Sequence, residues 1–390
     1  MSDASRRRPP LLSWTVVAPL VALVLLLLTW GHHIGPWLAV LVAAVLAAAV
    51  LAAVHHAEVV AHRVGEPFGS LVLAVAVTVI EVALIVTLMI SGGKDTDSLA
   101  RDTVFAAVMI TTNGIVGISL LLGAIRSGVA LFNPEGSGAA LATVAALSAL
   151  ALVLPTFTTS APGPEFSPGQ LSFAALASLA LYLMFVFTQT GRHRDFFLPV
   201  EQPVPADRAA DPAAAGAAAG EAGGSGASGS DGGHSAPVTA RAAAISLGLL
   251  LVALVDVVGL AKVESHTIES AVDAVGFPPS FVGVVIALLV LAPETLAAAR
   301  ASRRRRVQIS LNLAYGSAMA SIGLTIPSIA VATLWLDGPL LLGLGSTQLV
   351  LLTLTVLVSI LTVVPGRATR LQGGVHLVLL AAFLFLAINP

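Results

Sequence analysis

Long apolar segments constrain this chain more than any other feature of its sequence. A helix needs about 20 apolar residues to cross the hydrocarbon core of a bilayer. No segment alternates with the period of a strand, and single helices satisfy their own backbone hydrogen bonds in lipid. We therefore expect an all-α integral membrane protein, embedded in the lipid bilayer, with about eleven transmembrane helices. The apolar segments lie near residues 11–30, 35–54, 68–90, 103–125, 139–155, 170–190, 241–261, 280–298, 307–333, 339–364 and 371–388.

The composition agrees with a membrane protein and excludes several chemistries. Hydrophobic residues make up 57% of the 390 residues and charged residues only 10%, whereas soluble domains carry about 25% charged residues. A net charge of −2 argues against nucleic acid as a partner. The chain has no cysteine, which excludes disulfides, thiolate catalysis and thiolate metal sites. No cofactor is indicated, and the sequence identifies no protein partner.

The basic residues predict which side of the membrane each loop occupies. If the N-terminus is cytoplasmic and the loops alternate, 16 of the 19 Lys and Arg residues are inside, and only Lys94, Arg101 and Lys262 are outside. Basic residues concentrate in cytoplasmic loops. We therefore expect a bacterial inner-membrane protein with a cytoplasmic N-terminus and an extracytoplasmic C-terminus. The first segment offers no small-residue cleavage site, so we interpret it as an uncleaved helix.

One long polar segment divides the chain into two halves. Residues 191–240 are rich in Gly, Ala, Ser and Pro, a composition typical of a flexible cytoplasmic linker. With residues 1–34 set aside as an extra helix, five spans fall in residues 35–190 and five in residues 241–390. Because five is an odd number, two homologous five-helix units must have opposite orientations, as in many secondary transporters.

Two sequence elements recur in corresponding helices of the two halves. Phe68 precedes Glu81 by thirteen residues, and Phe281 precedes Glu294 by the same spacing. In the following helix, TTNGIVG (111–117) matches SLNLAYG (310–316), with a hydroxyl residue, an Asn and a Gly at equal intervals. Together these matches predict an inverted repeat.

Three acidic residues fall inside predicted spans: Glu81, Glu294 and Asp256. A carboxylate in hydrocarbon costs several kcal/mol unless it is solvated or paired, so such a residue is a candidate functional residue. Equivalent positions of an inverted repeat meet near the bilayer midplane. We therefore expect Glu81 and Glu294 to approach each other. Asp256 has no partner in the other half, and a functional and a structural role are equally open for it.

Oxygen donors near the two glutamates predict a site for a hard cation. Ca²⁺ takes six to eight oxygen ligands, and Glu81 and Glu294 would supply the charged ones. Pro293 is expected to kink or break its helix, which would free further carbonyl oxygens. For the asparagines, hydrogen bonding between helices is an alternative role. The other expected ligands are the amide and hydroxyl oxygens of Asn113, Asn312, Thr78, Thr111 and Ser310.

The same pair of carboxyl groups would couple the cation to protons. Close, desolvated carboxylates repel each other, so the site without a cation is expected to hold at least one proton. A divalent cation neutralises both charges and displaces the protons. Cation and protons then exclude each other, which is the minimum requirement of an antiporter.

Other charged residues lie near the ends of predicted spans. The histidines at the cytoplasmic end of the second span are expected to be solvated, and sensing of pH near neutrality is the alternative role. The acidic residues of two external loops would either attract cations or simply be solvated. These groups are His55, His56 and His62, and Asp95, Asp97, Asp102, Glu264, Glu269 and Asp273.

At these motifs the sequence resembles the cation/Ca²⁺ exchanger superfamily, and within it the bacterial ChaA-type Ca²⁺:H⁺ antiporters. The resemblance implies an extra helix followed by two inverted five-helix repeats, exchange of a cation for protons, and an essential Glu in each repeat, here Glu81 and Glu294. The exchangers commonly carry a GNxxE signature, where this chain has TVIE and LAPE. The resemblance depends on GEPFGSLVLAVAVTVIEV (65–82), RDTVFAAVMITTNGIVGISLLLGA (101–124), LLVLAPETLAA (288–298) and QISLNLAYGSAMASIGLTIP (308–327).

Three functional alternatives stay open at this point. A Na⁺(K⁺):H⁺ antiporter would use the same carboxylates for monovalent cations. A membrane-embedded enzyme would need a nucleophile with a base, or a metal motif, within the spans, and the sequence shows neither. A scaffold protein would leave the repeated glutamates unexplained. The sequence therefore favours a Ca²⁺:H⁺ antiporter, which is a transporter and not an enzyme.

Overall fold

The structure is a computed structural model that describes residues 13–200 and 239–390, apart from residues 33, 66–67, 92–95, 192 and 336–337. Most of the predicted linker therefore lies outside the described residues. The described part is almost entirely helical. The first half contains α1 (Trp14–Thr29), α2 (Pro36–Val64), α3 (Phe68–Ser91), α4 (Leu99–Met109), α5 (Val116–Ser127), α6 (Pro134–Ser148), α7 (Leu154–Phe157) and α8 (Pro168–Thr190).

The second half repeats the helical pattern. Two short strands, β1 (Ala130–Leu131) and β2 (Arg367–Ala368), pair antiparallel and connect the two halves at one end of the bundle. The helices of the second half are α9 (Ala240–Val275), α10 (Phe281–Arg303), α11 (Val307–Gly323), α12 (Thr325–Ala332), α13 (Ser346–Val363) and α14 (Arg370–Ile388).

The predicted membrane-spanning architecture is confirmed. Within the described residues, 10 helical segments are long and apolar enough to cross a bilayer, five before and five after residues 201–238. The extra N-terminal helix α1 is also apolar but is shorter, at 16 residues. Many large apolar side chains point outward, including Trp37, Leu361 and Leu371, as expected where lipid replaces water.

Three of the described spans deviate from regular α-helix. A π-helical segment, Ile110–Ile115, separates α4 from α5 within one continuous span. A second π-helical segment, Ala149–Val153, leads into Pro155, which has no N–H to donate. Pro293 does not break its helix, because α10 runs continuously through it, whereas the alternative of a kink stays a prediction. The break in the second half lies instead at Leu324, between α11 and α12.

Two helices extend further than hydropathy predicts. Helix α2 continues to Val64 and α9 continues to Val275. His56 is consequently buried within α2, where its Nε2 lies 2.9 Å from the carbonyl oxygen of Thr15 in α1. Glu264 is buried within α9 and does not belong to an external loop. Hydropathy ended both spans too early because it treats buried polar residues as exposed ones.

The interior consists of two apolar clusters with α3 and α10 between them. One cluster contains buried residues of α1, α2 and α9, together with Ile80 of α3 and Ile286 of α10. The other is built from α4 to α8 and α11 to α14, and includes Ile85 of α3 and Leu291 of α10. The two helices that carry Glu81 and Glu294 therefore contribute to both clusters and lie at the boundary between them.

Candidate functional site

A cavity of about 400 Å³ lies between α3, α8, α10 and α11. Its wall includes Leu73 near the start of α3 and Gln189 near the end of α8. Further in, the wall includes Glu81 and Ser321. The cavity thus extends from the carboxyl groups toward the end of the bundle from which residues 191–240 depart.

Glu81 is a buried acid at the inner part of this cavity, with an exposed fraction of 2%. Ser321 Oγ donates a hydrogen bond to Glu81 Oε2 over 3.0 Å. The hydroxyl of Thr325, at the start of α12, is also buried and has no hydrogen-bond partner. Glu81 Oε1 has no hydrogen-bond partner. One of its two oxygens is therefore available to a ligand.

Glu294 of α10 lines the same cavity and is also buried. Its Oε2 has no hydrogen-bond partner. If ionised, Glu294 would repel an ionised Glu81, and an ionised Glu58 in α2 would repel Glu294. Neither Glu81 nor Glu294 forms an ion pair with a described basic residue. Two buried carboxyl groups thus face one cavity without a neutralising partner, an arrangement that requires bound protons or a bound cation.

Of the five predicted neutral ligands, the structure places Thr78 and Asn312 in the cavity wall. Thr78 lies one helical turn before Glu81 on α3. Asn312 of α11 donates from Nδ2 to the carbonyl oxygen of Phe197 over 2.7 Å, and its Oδ1 accepts from Gln308 Nε2 over 2.8 Å. The Asn312 side chain is therefore held in a fixed orientation at the wall.

The other three predicted ligands do not line this cavity. The hydroxyl of Thr111 donates to the carbonyl oxygen of Ala107 over 2.7 Å, within its own helix. Ser310 donates to the carbonyl oxygen of Ala298 over 2.6 Å, so it links α11 to α10. Both hydroxyls therefore take part in helix contacts.

Asn113 belongs to a separate buried polar network. Its Nδ2 donates to Thr355 Oγ1 over 2.9 Å, and its Oδ1 lies 3.2 Å from His376 Nδ1. His376 Nε2 lies 3.2 Å from Thr362 Oγ1. This network joins the π-helical segment to α13 and α14, and it matches the interhelical role that the sequence left open for asparagine.

The packing of α14 explains why the two asparagines differ. A Cβ built on Gly117 would lie 3.1 Å from the carbonyl oxygen of Gly373 in α14, whereas a Cβ on the equivalent Gly316 would meet nothing within 4 Å. The first repeat is therefore covered by α14 at this position. The second repeat is open to the cavity at the equivalent position.

Several polar residues of the cavity wall were missed by sequence reasoning: Ser317, Ser321 and Gln189. The signal for the serines was available, because residues at spacings of three and four share one helix face. After Asn312, the wall positions of α11 are Gly316, Ser317, Ala320 and Ser321, which recur among themselves at spacings of three and four. A helical projection of α11 would have identified them.

The donor set determines what the site can bind. It offers carboxylate, hydroxyl and amide oxygens, which suit hard cations and protons. No group of three or more His, Cys, Asp or Glu residues in the described part of the chain is placed to hold a metal ion. A cation at Glu81 and Glu294 would therefore complete its coordination with neutral oxygens and water, as expected for a transported ion rather than a permanently bound one.

Comparisons with known proteins identify the family of this chain. The family model described as "Sodium/calcium exchanger protein" matches residues 34–191 and 245–389. The protein y4hA of Sinorhizobium fredii, described as an ionic transporter, is 42% identical over 98% of this chain and 97% of its own length. The sodium-potassium/proton antiporter ChaA of Escherichia coli is 32% identical over 85% of this chain and 83% of its own length.

The fold also matches a solved structure. A structure of the Ca²⁺/H⁺ antiporter YfkE superposes with a TM-score of 0.67 at 14% identity, and covers 97% of this chain and 100% of that one. At this identity the likeness establishes the fold alone. Taken with the family match across both halves of the chain, these comparisons show that this multi-pass membrane protein belongs to the sodium/calcium exchanger family of transporters.

Proposed function

We propose that the protein is a secondary active transporter that exchanges Ca²⁺ for protons across the bacterial inner membrane. One observation carries this proposal. Glu81 and Glu294 are both buried at the same cavity, each with an oxygen that has no hydrogen-bond partner, and neither is paired with a described basic residue. Such a pair can be neutral in two ways: with two bound protons, or with one divalent cation.

Charge balance favours a divalent cargo. Two ionised glutamates and one Ca²⁺ sum to zero, as do two protonated glutamates. Neutral oxygens of Thr78, Asn312 and Ser321 line the same wall and would contribute to a coordination shell of six to eight oxygens. The cation and the protons would therefore use the same oxygens in alternation.

The direction in which the cavity extends supports an inward-facing state. The cavity leads to the end of the bundle where α3 begins and α8 ends. The distribution of basic residues assigns that end to the cytoplasm, with the N-terminus inside and the C-terminus outside. Cytoplasmic Ca²⁺ would reach Glu81 and Glu294 through this cavity and would leave after the site opens to the opposite side.

Exchange of Na⁺ or K⁺ for protons is the second candidate, and one comparison favours it. The relative ChaA, 32% identical over 85% of this chain, is described as a sodium-potassium/proton antiporter. A monovalent cation would neutralise only one of Glu81 and Glu294, so the other would keep its proton. The two candidates therefore differ in whether both carboxyl groups must ionise.

Transport in everted membrane vesicles with a pH-sensitive dye tests both candidates. Ca²⁺, Na⁺ or K⁺ is added to wild-type protein, to Glu81→Gln, to Glu294→Gln and to the control Glu135→Gln, which alters an exposed acid at the start of α6. We expect Ca²⁺-dependent proton release in wild type and control, and its loss in both site variants. Exchange with Na⁺ or K⁺ but not with Ca²⁺ would establish the second candidate. Wild-type Ca²⁺ exchange by a well-folded Glu294→Gln protein would refute the site.

A further inference from the structure

Asp256 is a buried acid that the cavity does not use. It lies on α9, its exposed fraction is 0%, and neither of its carboxyl oxygens has a hydrogen-bond partner. On the same helix, Ala253, Val257 and Leu260 belong to the apolar cluster that α9 forms with α1, α2 and α3. The carboxyl group therefore makes no contact that would compensate for its loss of water.

Glu264 is a second acid of the same kind on α9. Its exposed fraction is 2%, and its Oε1 has no hydrogen-bond partner. Eight residues separate it from Asp256, which corresponds to about 12 Å along a helix. Because successive spans alternate in direction, α9 begins at the end of the bundle toward which the cavity extends. Glu264 closes the apolar span Ala240–Glu264 and lies toward the opposite end.

No neighbouring group neutralises Asp256. The helices packed against α9 are α1, α2, α3 and α10, and α1 carries no titratable side chain. Asp256 forms neither a hydrogen bond nor an ion pair with any described residue. The titratable residues of these helices are His55, His56, Glu58, His62 and Arg63 on α2, Glu81 on α3, Glu294, Arg300 and Arg303 on α10, and Arg241, Lys262, Glu264, His266, Glu269 and Asp273 on α9 itself.

The surroundings of Asp256 favour a proton, and not a metal cation, as the ligand of this carboxyl group. A carboxylate in an apolar interior costs several kcal/mol unless it is paired, and Asp256 has no partner. A metal cation would need several more oxygen ligands or space for water. Asp256 lines none of the three described cavities. In this packing, a bound proton is what makes the side chain neutral.

We infer that Asp256 is a proton-binding site separate from the cavity, occupied in the packing seen here. Ionisation of Asp256 opposes the packing of α9 on α1 to α3, so the proton and this conformation stabilise each other. This site goes beyond the proposed exchange, which needs only the two cavity carboxyl groups.

Infrared spectroscopy of the full-length protein in lipid nanodiscs tests this site without any transport. A carboxylic acid that makes no hydrogen bond gives a C=O stretching band at higher frequency than a hydrogen-bonded acid. In a Glu81→Gln/Glu294→Gln double variant, which lacks the cavity carboxyl groups, we expect this band to persist. Adding Asp256→Asn should remove the part of this band that comes from Asp256. In wild-type protein, ¹³C-labelled aspartate should shift the same band, so the result does not depend on the folding of a variant.

The outcomes separate this inference from the proposed exchange. A band that neither Asp256→Asn nor labelled aspartate alters would overturn the proton site, even in a protein that exchanges Ca²⁺ for protons. A protein with the expected band but without cation-dependent proton flux would refute only the proposed transport.

Discussion

The hydrogen bond from Ser321 to Glu81 gives the sharpest quantitative prediction. Ser321 Oγ donates to Glu81 Oε2 over 3.0 Å inside a buried cavity. A hydroxyl that donates to a carboxyl group stabilises the ionised form more than the protonated form. Under the proposed exchange, Glu81 is ionised when the cation is bound. Ser321→Ala should therefore weaken cation binding relative to proton binding.

The size of the effect follows from the type of bond. A hydrogen bond to a charged group contributes about 1.5–3 kcal/mol, which corresponds to a change of about 10- to 150-fold in an equilibrium constant. At constant pH, the Ca²⁺ concentration for half-maximal exchange should rise by that factor. The maximal rate should change little, because both carboxyl groups are retained.

The assay is Ca²⁺-dependent proton flux in proteoliposomes over a range of Ca²⁺ concentrations. Ser328→Ala is the matched control. Its hydroxyl donates to the carbonyl oxygen of Leu324 over 2.8 Å within the same membrane span, and it does not line the cavity. An unchanged half-maximal concentration in Ser321→Ala, or an equal rise in Ser328→Ala, would refute the reasoning.

Three further predictions concern the rest of the chain. Deleting residues 205–236 should leave cation-dependent proton flux largely intact, because the composition predicts a linker; loss of flux in a folded deletion protein would contradict this. A reporter fused after Pro390 should be extracytoplasmic and one inserted at Gly220 cytoplasmic; finding both on one side would contradict the inverted repeat. Asp102→Asn weakens three hydrogen bonds to this side chain, one of which comes from Arg101 Nε over 2.8 Å. Calorimetry should therefore show a free energy of unfolding lower by about 1–3 kcal/mol, with unchanged Ca²⁺ affinity. An unchanged melting curve would contradict the structural role.

The spans and the acids of the cavity could be predicted because each leaves a local signal. A bilayer-length apolar segment is visible without any knowledge of packing. An acid within such a segment is conspicuous for the same reason. Glu81 and Glu294 were therefore identifiable individually, and their equal spacing from Phe68 and Phe281 indicated that they belong together. The structure places both in one cavity wall.

The roles of Asn113 and Asn312 could not be separated from the sequence. Both lie in the same motif, yet Asn312 lines the cavity while Asn113 contacts Thr355 and His376. The difference depends on how α14 and α8 pack in this conformation. The motif cannot reveal that packing, because its residues are equivalent in both halves. Burial of Asp102 was missed for a related reason, because Gln348, 246 residues away in the sequence, becomes its neighbour only in the folded chain.

Coupling between cation and proton transport follows from the absence of a basic partner, if Glu81 and Glu294 bind the cargo as proposed. With both sites ionised and no cation bound, the cavity would carry two negative charges that no described basic residue neutralises. Enclosing that charge between the two apolar clusters during a change of access would cost several kcal/mol per charge. With a divalent cation or two protons bound, this cost disappears. The conformational change is then open only to the loaded forms, so desolvation alone would make the exchange obligatory.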